Sequence, residues 1–349
     1  MNKILSLGRK LDLRHGRVDL SHGAGGRAMA RLIADVFHAA FDNDWLRAGN
    51  DQSAFDVAGG RMVMTTDAYV VSPLFFPGGD IGLLAVNGTI NDIAMAGAKP
   101  LYMSASFVIE EGFPLADLQR IAQSMGEASR AAGVPIITGD TKVVERGKAD
   151  GVFISTACVG AAPIELSLSG DKARPGDAIL LSGSIGDHGV AVMSRRENLC
   201  FETDVLSDTV ALHELVAAMV AAGGPSIRAM RDPTRGGLAA TLNEIANQSR
   251  VGARIDEAAL PIKPQVAAAC ELLGLDPLNV ANEGKLIAIV APEAAEATLA
   301  AMRAHRLGAQ AARIGEIVED DCCFVQMRTT FGGDRIVDWL SGEQLPRIC

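Results

Sequence analysis

Four aspartates stand at strand or helix ends in the first half of the chain. Asp51 sits in "GNDQSAFD", Asp67 closes "MVMTTD", Asp92 follows Asn91 in "TIND", and Asp140 lies in "ITGDTK". Carboxylates in such places are the hard oxygen ligands that Mg²⁺ takes when it holds a polyphosphate. Each one taken singly is equally a cap or a turn residue. Upstream, "SHGAGG" presents Gly23, Gly25 and Gly26 just before a helical pattern. Such a loop offers backbone N–H groups and a positive helix end to phosphate oxygens, although an ordinary flexible loop has the same composition. No GK[ST] follows the glycines, so this is not the usual P-loop. "GGD", Gly78–Asp80, reads as a loop and cap, and Lys142 as a phosphate contact or a solvated lysine.

The second half offers a different set. "DPTRGG", Asp232–Gly237, is a polar turn ending in two glycines ahead of a helix. It suits an oxyanion, with Arg235 as a clamp, or is simply a capped helix start. "NEG" places Glu283 just before the strand "KLIAIV". There it is either solvated or, if enclosed, a general base. "GDHG" offers His188, which reads first as a loop histidine. The six cysteines, Cys158, Cys200, Cys270, Cys322, Cys323 and Cys349, have no CxxC spacing and complete no zinc knot. Cys158 lies in an apolar strand pattern, Cys322 and Cys323 follow an acidic stretch, and Cys349 is the last residue of "LPRIC".

Alternating elements must position these residues. After the glycine loop, apolar residues recur at helical spacing from Ala28 to Phe37. "RMVMTTDAYVVSP" predicts a strand and "DIGLLAVNGTINDIAMAGAKP" a helix over Ile81–Ala96. Glycines inside that helix cost stability unless close packing or a ligand needs the space. Further strands are predicted in "PLYMSASFVIEEGF", "VPIITGDTKVV" and "GVFISTACVG", with a Pro-started, Gly-stopped helix between the first two. Strand–helix units resume at "DAILLSG", and Asp208 and Thr209 are candidate caps for the helix in "VALHELVAAMVAAG". "TTFGGDRIVDWLSGEQLPRIC" follows the last regular unit.

The alternation indicates an α/β (α+β) chain of two domains, with boundaries at 1–165 and 166–330 and a mobile tail at 331–349. Its 349 residues are too many for one ordinary core. With 32 basic against 42 acidic residues, the formal charge is -10, which favours neither nucleic acid nor an anionic membrane. The charged start lacks a signal-peptide core, and no window has the length and purity of a membrane span, so the expected address is cytoplasmic. Thiols there stay mostly reduced.

Taken together, "LSHGAGG", "TTDAYVVSPLFFPGGDIG", "GTINDIAMAGAKP", "ITGDTKVVERGK", "DPTRGGLA", "NEGK" and "PRIC" resemble the hydrogenase expression/formation proteins of the E type. These are carbamoyl dehydratases in the superfamily of aminoimidazole ribonucleotide synthetase and selenophosphate synthetase. The likeness spans almost the whole chain; "SPLFFPGGDIG" and the terminal "PRIC" narrow it to this family. It implies a two-domain fold of the aminoimidazole ribonucleotide synthetase type, a homodimer, and ATP and Mg²⁺ as cofactors. It also implies that Asp51, Asp67, Asp92 and Asp140 serve metal–ATP, with Asp67, Asp80, Asn91, Lys142 and Arg235 around the nucleotide. Gly23, Gly25 and Gly26 match the glycine-rich entry. Glu283 matches a base, and Cys349 matches the thiol that carries the substrate.

The resemblance implies a reaction as well. A partner carbamoyltransferase loads a carbamoyl group on Cys349. ATP-driven dehydration then turns the thiocarbamate into a thiocyanate, and cyanide passes to iron on a scaffold of two further maturation proteins. Two rivals share parts of the pattern. One is another ATP-dependent enzyme of the superfamily; a selenophosphate synthetase would carry an N-terminal cysteine region, which "MNKILSLGRKLDLRHG" lacks. The other is a non-enzymatic adaptor that binds ATP and presents the tail.

Overall fold

The computed structural model describes residues 11–23, 27–44, 46, 61–197, 205–338, 345 and 347–349. Asp51, Gly25 and Gly26 lie outside these residues. Two sheets organise the described chain, one of four strands and one of seven.

The first sheet comprises β1 (Arg61–Tyr69), β4 (Lys99–Glu110), β5 (Ile136–Val144) and β6 (Val152–Ala162). A two-residue hairpin, β2 (Phe75–Phe76) with β3 (Gly79–Asp80), follows β1. β6 runs antiparallel to β1 and β4, and β4 is parallel to β5. One face takes the helices and the other is open. Register puts Met62 opposite Ala161 and Met64 opposite Val159, and Val159 opposite Tyr102, on that open face. Met64 is 71% exposed there.

Helix α1 starts at Arg27–Leu32, widens into a π-helical turn at Ile33–His38, and continues as the short α2, Ala39–Phe41. The predicted helix after the glycine loop is therefore present, and Gly23 ends a 3-10 turn ahead of it. Helix α3, Ile81–Met95, is buried on nearly every side. Asp80 caps it, accepting from Gly82 N at 2.8 Å and Leu83 N at 3.0 Å. The interior glycines answer to packing. A Cβ on Gly82 would meet Ile121 O at 2.5 Å, and one on Gly88 would meet Tyr69 Oη at 2.4 Å. Helix α4, Leu115–Ala132, starts after Pro114 and stops at the left-handed Gly133, as the sequence predicts.

The second sheet comprises β7 (Ala178–Leu181), β8 (Ile227–Arg231), β9 (Gly252–Asp256), β10 (Ile287–Val290), β11 (Ala312–Val318), β12 (Val325–Arg328) and β13 (Asp334–Ile336). Helices α5 (Asp187–Arg196), α6 (His213–Gly223), α7 (Gly237–Ser249), α8 (Pro264–Leu273) and α9 (Pro292–Ala304) pack around it. Three readings change. Asp334–Ile336 form a strand, β13, inside the stretch the sequence reads as a mobile tail. His188 is in helix α5, not a loop. Asp208 is no cap, because α6 begins beyond Leu212 and Asp208 is drawn into an ion pair with Lys285.

A buried core unites the sheets. The cluster around Ile81, Leu84, Ile90 and Met103 also takes in Val192 and Ala281 from the second half, and Ile348 from the chain's end. Among the described residues, no helix is long and apolar enough to cross a membrane.

Candidate active site

Register and helical spacing bring the chemistry to one place. On β1, Thr65, Asp67 and Tyr69 alternate onto the helix side of the first sheet. Opposite them, Gly88 and Asp92 lie four residues apart on one face of α3. Thr65 Oγ1 donates to Asp92 Oδ2 at 2.8 Å, and Tyr69 Oη lies 3.1 Å from Thr89 Oγ1. The second half adds two turns. β8 and β10 are antiparallel neighbours that pair Arg231 with Ile287. Hence the turn after β8 lies beside the segment before β10, which sets Asp232 and Arg235 next to Glu283. Asn282 ties the turns, donating from its backbone N at 3.1 Å and its side-chain Nδ2 at 2.9 Å to Pro233 O.

The end of the chain completes the site. Val70 N donates to Cys349 O at 3.4 Å and Ser72 N to Arg347 O at 3.1 Å, an antiparallel register that extends β1. Cys349 thereby lines one small cavity, about 40 Å³, with Asp67, Tyr69, Gly88, Asp92, Asp232, Arg235 and Glu283.

The electrostatics follow from burial. Glu283 is 3% exposed, and its Oε1 is buried without a hydrogen-bond partner. Burial, then Asp232 and Asp208, push its carboxyl well above the ordinary value. Asp232 is pushed up to about 7 by burial and by Asp92. Burial also raises Asp92, with Asp67 adding to it. The Cys349 thiol is raised by burial and by Glu283, while Arg235 opposes them. Such a site favours neutral forms, and an ionised Glu283 within it is a strong base.

The other expected residues are placed elsewhere. Asp80 is the buried cap of α3. Asn91 bridges the two halves: its Nδ2 donates to Val210 O at 3.0 Å and Glu283 O at 3.2 Å, and its Oδ1 accepts from Leu212 N at 2.8 Å. Asp140 and Lys142 pair with each other at 3.1 Å on the edge strand β5, and neither lines the cavity of Glu283. Asp140 borders a separate cavity of about 120 Å³, lined also by Phe37, Phe41 and Phe107.

Among the described residues, no group of three or more His, Cys, Asp or Glu gathers around a metal position. Asp67 and Asp92 do share the cavity. Two oxygen donors suit Mg²⁺, which takes one or two carboxylates and leaves its other positions to phosphate and water. Sequence reasoning passed over Tyr69 and the acid of Asp232. Asp232 carried one signal, its place at the head of a glycine-ended turn, but its pairing with Glu283 depends on strand order.

The chain's similarities agree with this architecture. Residues 49–162 match the N-terminal domain of the AIR synthase related proteins, and residues 174–328 match their C-terminal domain. The carbamoyl dehydratase HypE of Rhizobium leguminosarum bv. viciae is 78% identical over 341 residues, 98% of this chain and 97% of that protein. A crystal structure of the hydrogenase maturation protein HypE in complex with ATP superposes with a TM-score of 0.91 at 50% identity, covering 95% of this chain and 99% of that one. A HypE–HypF complex gives a TM-score of 0.78 at 48% identity, covering 88% and 99%.

Proposed function

We propose a reaction for this chain from one premise, that it belongs to the AIR synthase related proteins and, within them, to the carbamoyl dehydratases. Cys349 carries a carbamoyl group as a thiocarbamate, and the chain dehydrates it with ATP to a thiocyanate that supplies cyanide to hydrogenase iron. One observation carries this: the buried, unpartnered Oε1 of Glu283 shares a cavity with the Cys349 end of the chain. A primary carbamoyl nitrogen brings two N–H donors to a site that has an acceptor waiting.

The steps balance. The carbamoyl oxygen attacks the γ-phosphorus of ATP, the bond to ADP breaks, and one N–H proton passes to Glu283. This leaves an O-phosphorylated imidate on sulfur. The second N–H proton passes to an oxygen of the departing phosphoryl group, the C–O bond breaks with its electron pair on phosphate, and C≡N remains on sulfur. Net, thiocarbamate and ATP become thiocyanate, ADP, phosphate and a proton. Phosphate leaves in place of hydroxide, which is a far poorer leaving group. Arg235 faces the developing negative charge. Asp67 and Asp92, with Asp51 and Asp140, are the acids proposed to hold Mg²⁺ and ATP, and the ion would offset charge on the transferring phosphoryl group.

The wider assembly follows the same reading. Residues 1–165 form the ATP-binding and dimerising unit, 166–330 the second α/β unit, and 331–349 the tail, whose Asp334–Ile336 pair as β13 and whose part beyond is the arm. The open face of the first sheet, with Met62, Met64 and Val159, is the surface for a second copy. A partner carbamoyltransferase loads the arm, and a two-protein iron scaffold takes the cyanide.

Intact-protein mass spectrometry tests the reaction. Incubation with the carbamoyltransferase, carbamoyl phosphate, ATP and Mg²⁺ should add about 43 Da, then lose about 18 Da on dehydration of the covalent adduct. Cys349→Ala should show neither change. Glu283→Gln should load and stop there. Loading without dehydration in the unaltered protein would instead favour the ATP-binding adaptor.

A further inference from the structure

Several side chains that hold the arm take no part in the reaction steps. His188 is wholly buried on α5, and its Nε2 lies 2.8 Å from Ile348 O. A carbonyl only accepts, so Nε2 carries the proton. Burial holds the ring toward its neutral form although Asp208 pulls the other way. Nδ1 is then an acceptor, and Ser207 Oγ–H donates to it at 2.8 Å. Ser207 Oγ in turn accepts from Thr209 Oγ1 at 2.6 Å and Thr209 N at 3.2 Å. Phe76 meets the imidazole edge-on, with ring centroids 5.4 Å apart. The donors therefore run one way, from Thr209 through Ser207 and His188 to the arm.

A second hold comes from the last turn of the same helix. Arg196 Nη2 donates to Arg347 O at 2.9 Å, while its Nε donates to Ser72 O at 2.9 Å. Arg347 Nε donates to Val70 O at 2.9 Å, and its guanidinium pairs with Asp150. Arg347 itself sits at φ 54°, a left-handed conformation unfavourable for a residue with a Cβ. A free arm has no reason to adopt it, so the contacts must impose it.

We propose that His188, backed by Ser207, and Arg196 are positioning residues that seat residues 347–349 with Cys349 at Glu283, and that this seat serves dehydration and not carbamoyl loading. The inference rests on the reaction proposed above. Loading needs the sulfur at another enzyme's site, whereas the seat holds it in the cavity with Glu283. Dehydration needs it held still beside the base.

The experiment separates the two steps. Carbamoyl-loaded protein is mixed with ATP and Mg²⁺ and followed through a single turnover. In a second arm, the carbamoyltransferase loads fresh protein. His188→Leu should slow dehydration about 5- to 30-fold, the worth of one positioned hydrogen bond, and leave loading as fast or faster. His188→Gln, which keeps a donor near the Nε2 position, should recover to within about threefold. Arg196→Met, at a less buried site, should show the same split even if the His188→Leu protein folds poorly. Amide exchange at Val70 and Ser72, whose N–H groups the arm covers, should quicken in the Leu and Met variants. Unchanged dehydration, or a parallel fall in loading and dehydration, overturns the proposal. If the unaltered protein loads and never dehydrates, the proposed reaction fails; Val70 and Ser72 exchange then decides the seat alone, and unchanged protection in the variants overturns it.

Discussion

Lys285→Met isolates the buried ion pair beneath the Glu283 segment. Lys285 Nζ lies 3.0 Å from Asp208 Oδ2, with the side chains 12% and 5% exposed. Asp208 Oδ1 also accepts from Glu283 N at 3.0 Å, so the pair fixes the backbone of the proposed base. Burial pushes Asp208 up, but Lys285, with the bond from Glu283, holds it below its ordinary value. Methionine keeps the length of the stem and removes its charge. Breaking a buried pair from one side costs about 3–5 kcal/mol. At roughly 2–4 °C per kcal/mol for a unit of 150–250 residues, Tm should fall on the order of 6–20 °C near neutral pH.

The pH dependence sharpens the test. In the unaltered protein Asp208 has a folded pKa below its unfolded one. Its stabilisation is present above the unfolded value and lost as pH falls through the folded value. Without Lys285, burial dominates and the sign inverts, so the variant loses stability as pH rises. The gap in Tm between the two proteins should be widest above about pH 7 and shrink toward about pH 4.5. Scanning calorimetry across that range measures it. A gap that stays constant with pH, or a cost below about 1 kcal/mol, would refute the account of the pair. Single-turnover dehydration measured well below Tm should also slow, because Glu283 N has lost its fixed acceptor.

Glu283→Gln should stabilise the protein in alkaline solution. The folded pKa of Glu283 is raised, so its stability contribution is lost as pH rises; urea melts of the two proteins should diverge near about pH 8 and converge near about pH 4. For the same reason, single-turnover dehydration in the unaltered protein should climb with pH past the ordinary glutamate range, and a flat profile would count against Glu283 as the base. Gly88→Ala forces a Cβ to 2.4 Å from Tyr69 Oη, which should cost about 1–3 kcal/mol in a thermal melt and slow dehydration by narrowing the cavity. Met64→Glu puts a charge on the open sheet face; if that face is the proposed surface for a second copy, sedimentation should show a dimer for the unaltered protein and a single-chain species for the variant.

Local patterns survived best from sequence to structure. The caps and stops of α3 and α4 were legible because Asp80, Pro114 and Gly133 act on their own neighbours. Glu283 was legible as a conditional: a base if enclosed. What encloses it was not, because the second sheet sets β8 beside β10 across more than fifty residues of chain. His188 was misread for the same reason. "GDHG" has loop composition, yet a left-handed Gly186 opens a helix and the imidazole is buried against residues far away in sequence. Asp80 and Asn91 show the converse. Their motif is the kind that meets phosphate, and in this structure their polar atoms are occupied in holding α3 and joining the two halves.

The seated cysteine poses a chemical problem that the arm solves. Burial and the neighbouring acids raise the Cys349 thiol, so it stays protonated in the cavity and is a poor nucleophile. In the proposed reaction, accepting a carbamoyl group therefore belongs to the released arm, where solvent restores an ordinary thiol. Once loaded, the sulfur has no proton to lose and no charge to desolvate, and the penalty that disfavours a thiolate disappears. The carbamoyl nitrogen then brings donors to Glu283 Oε1, the buried carboxylate oxygen of the cavity that has no partner among the described residues. Loading thus favours return to the seat by its own chemistry. A cavity that excludes the reactive thiolate and accepts the neutral thiocarbamate would keep the two proposed half-reactions in order.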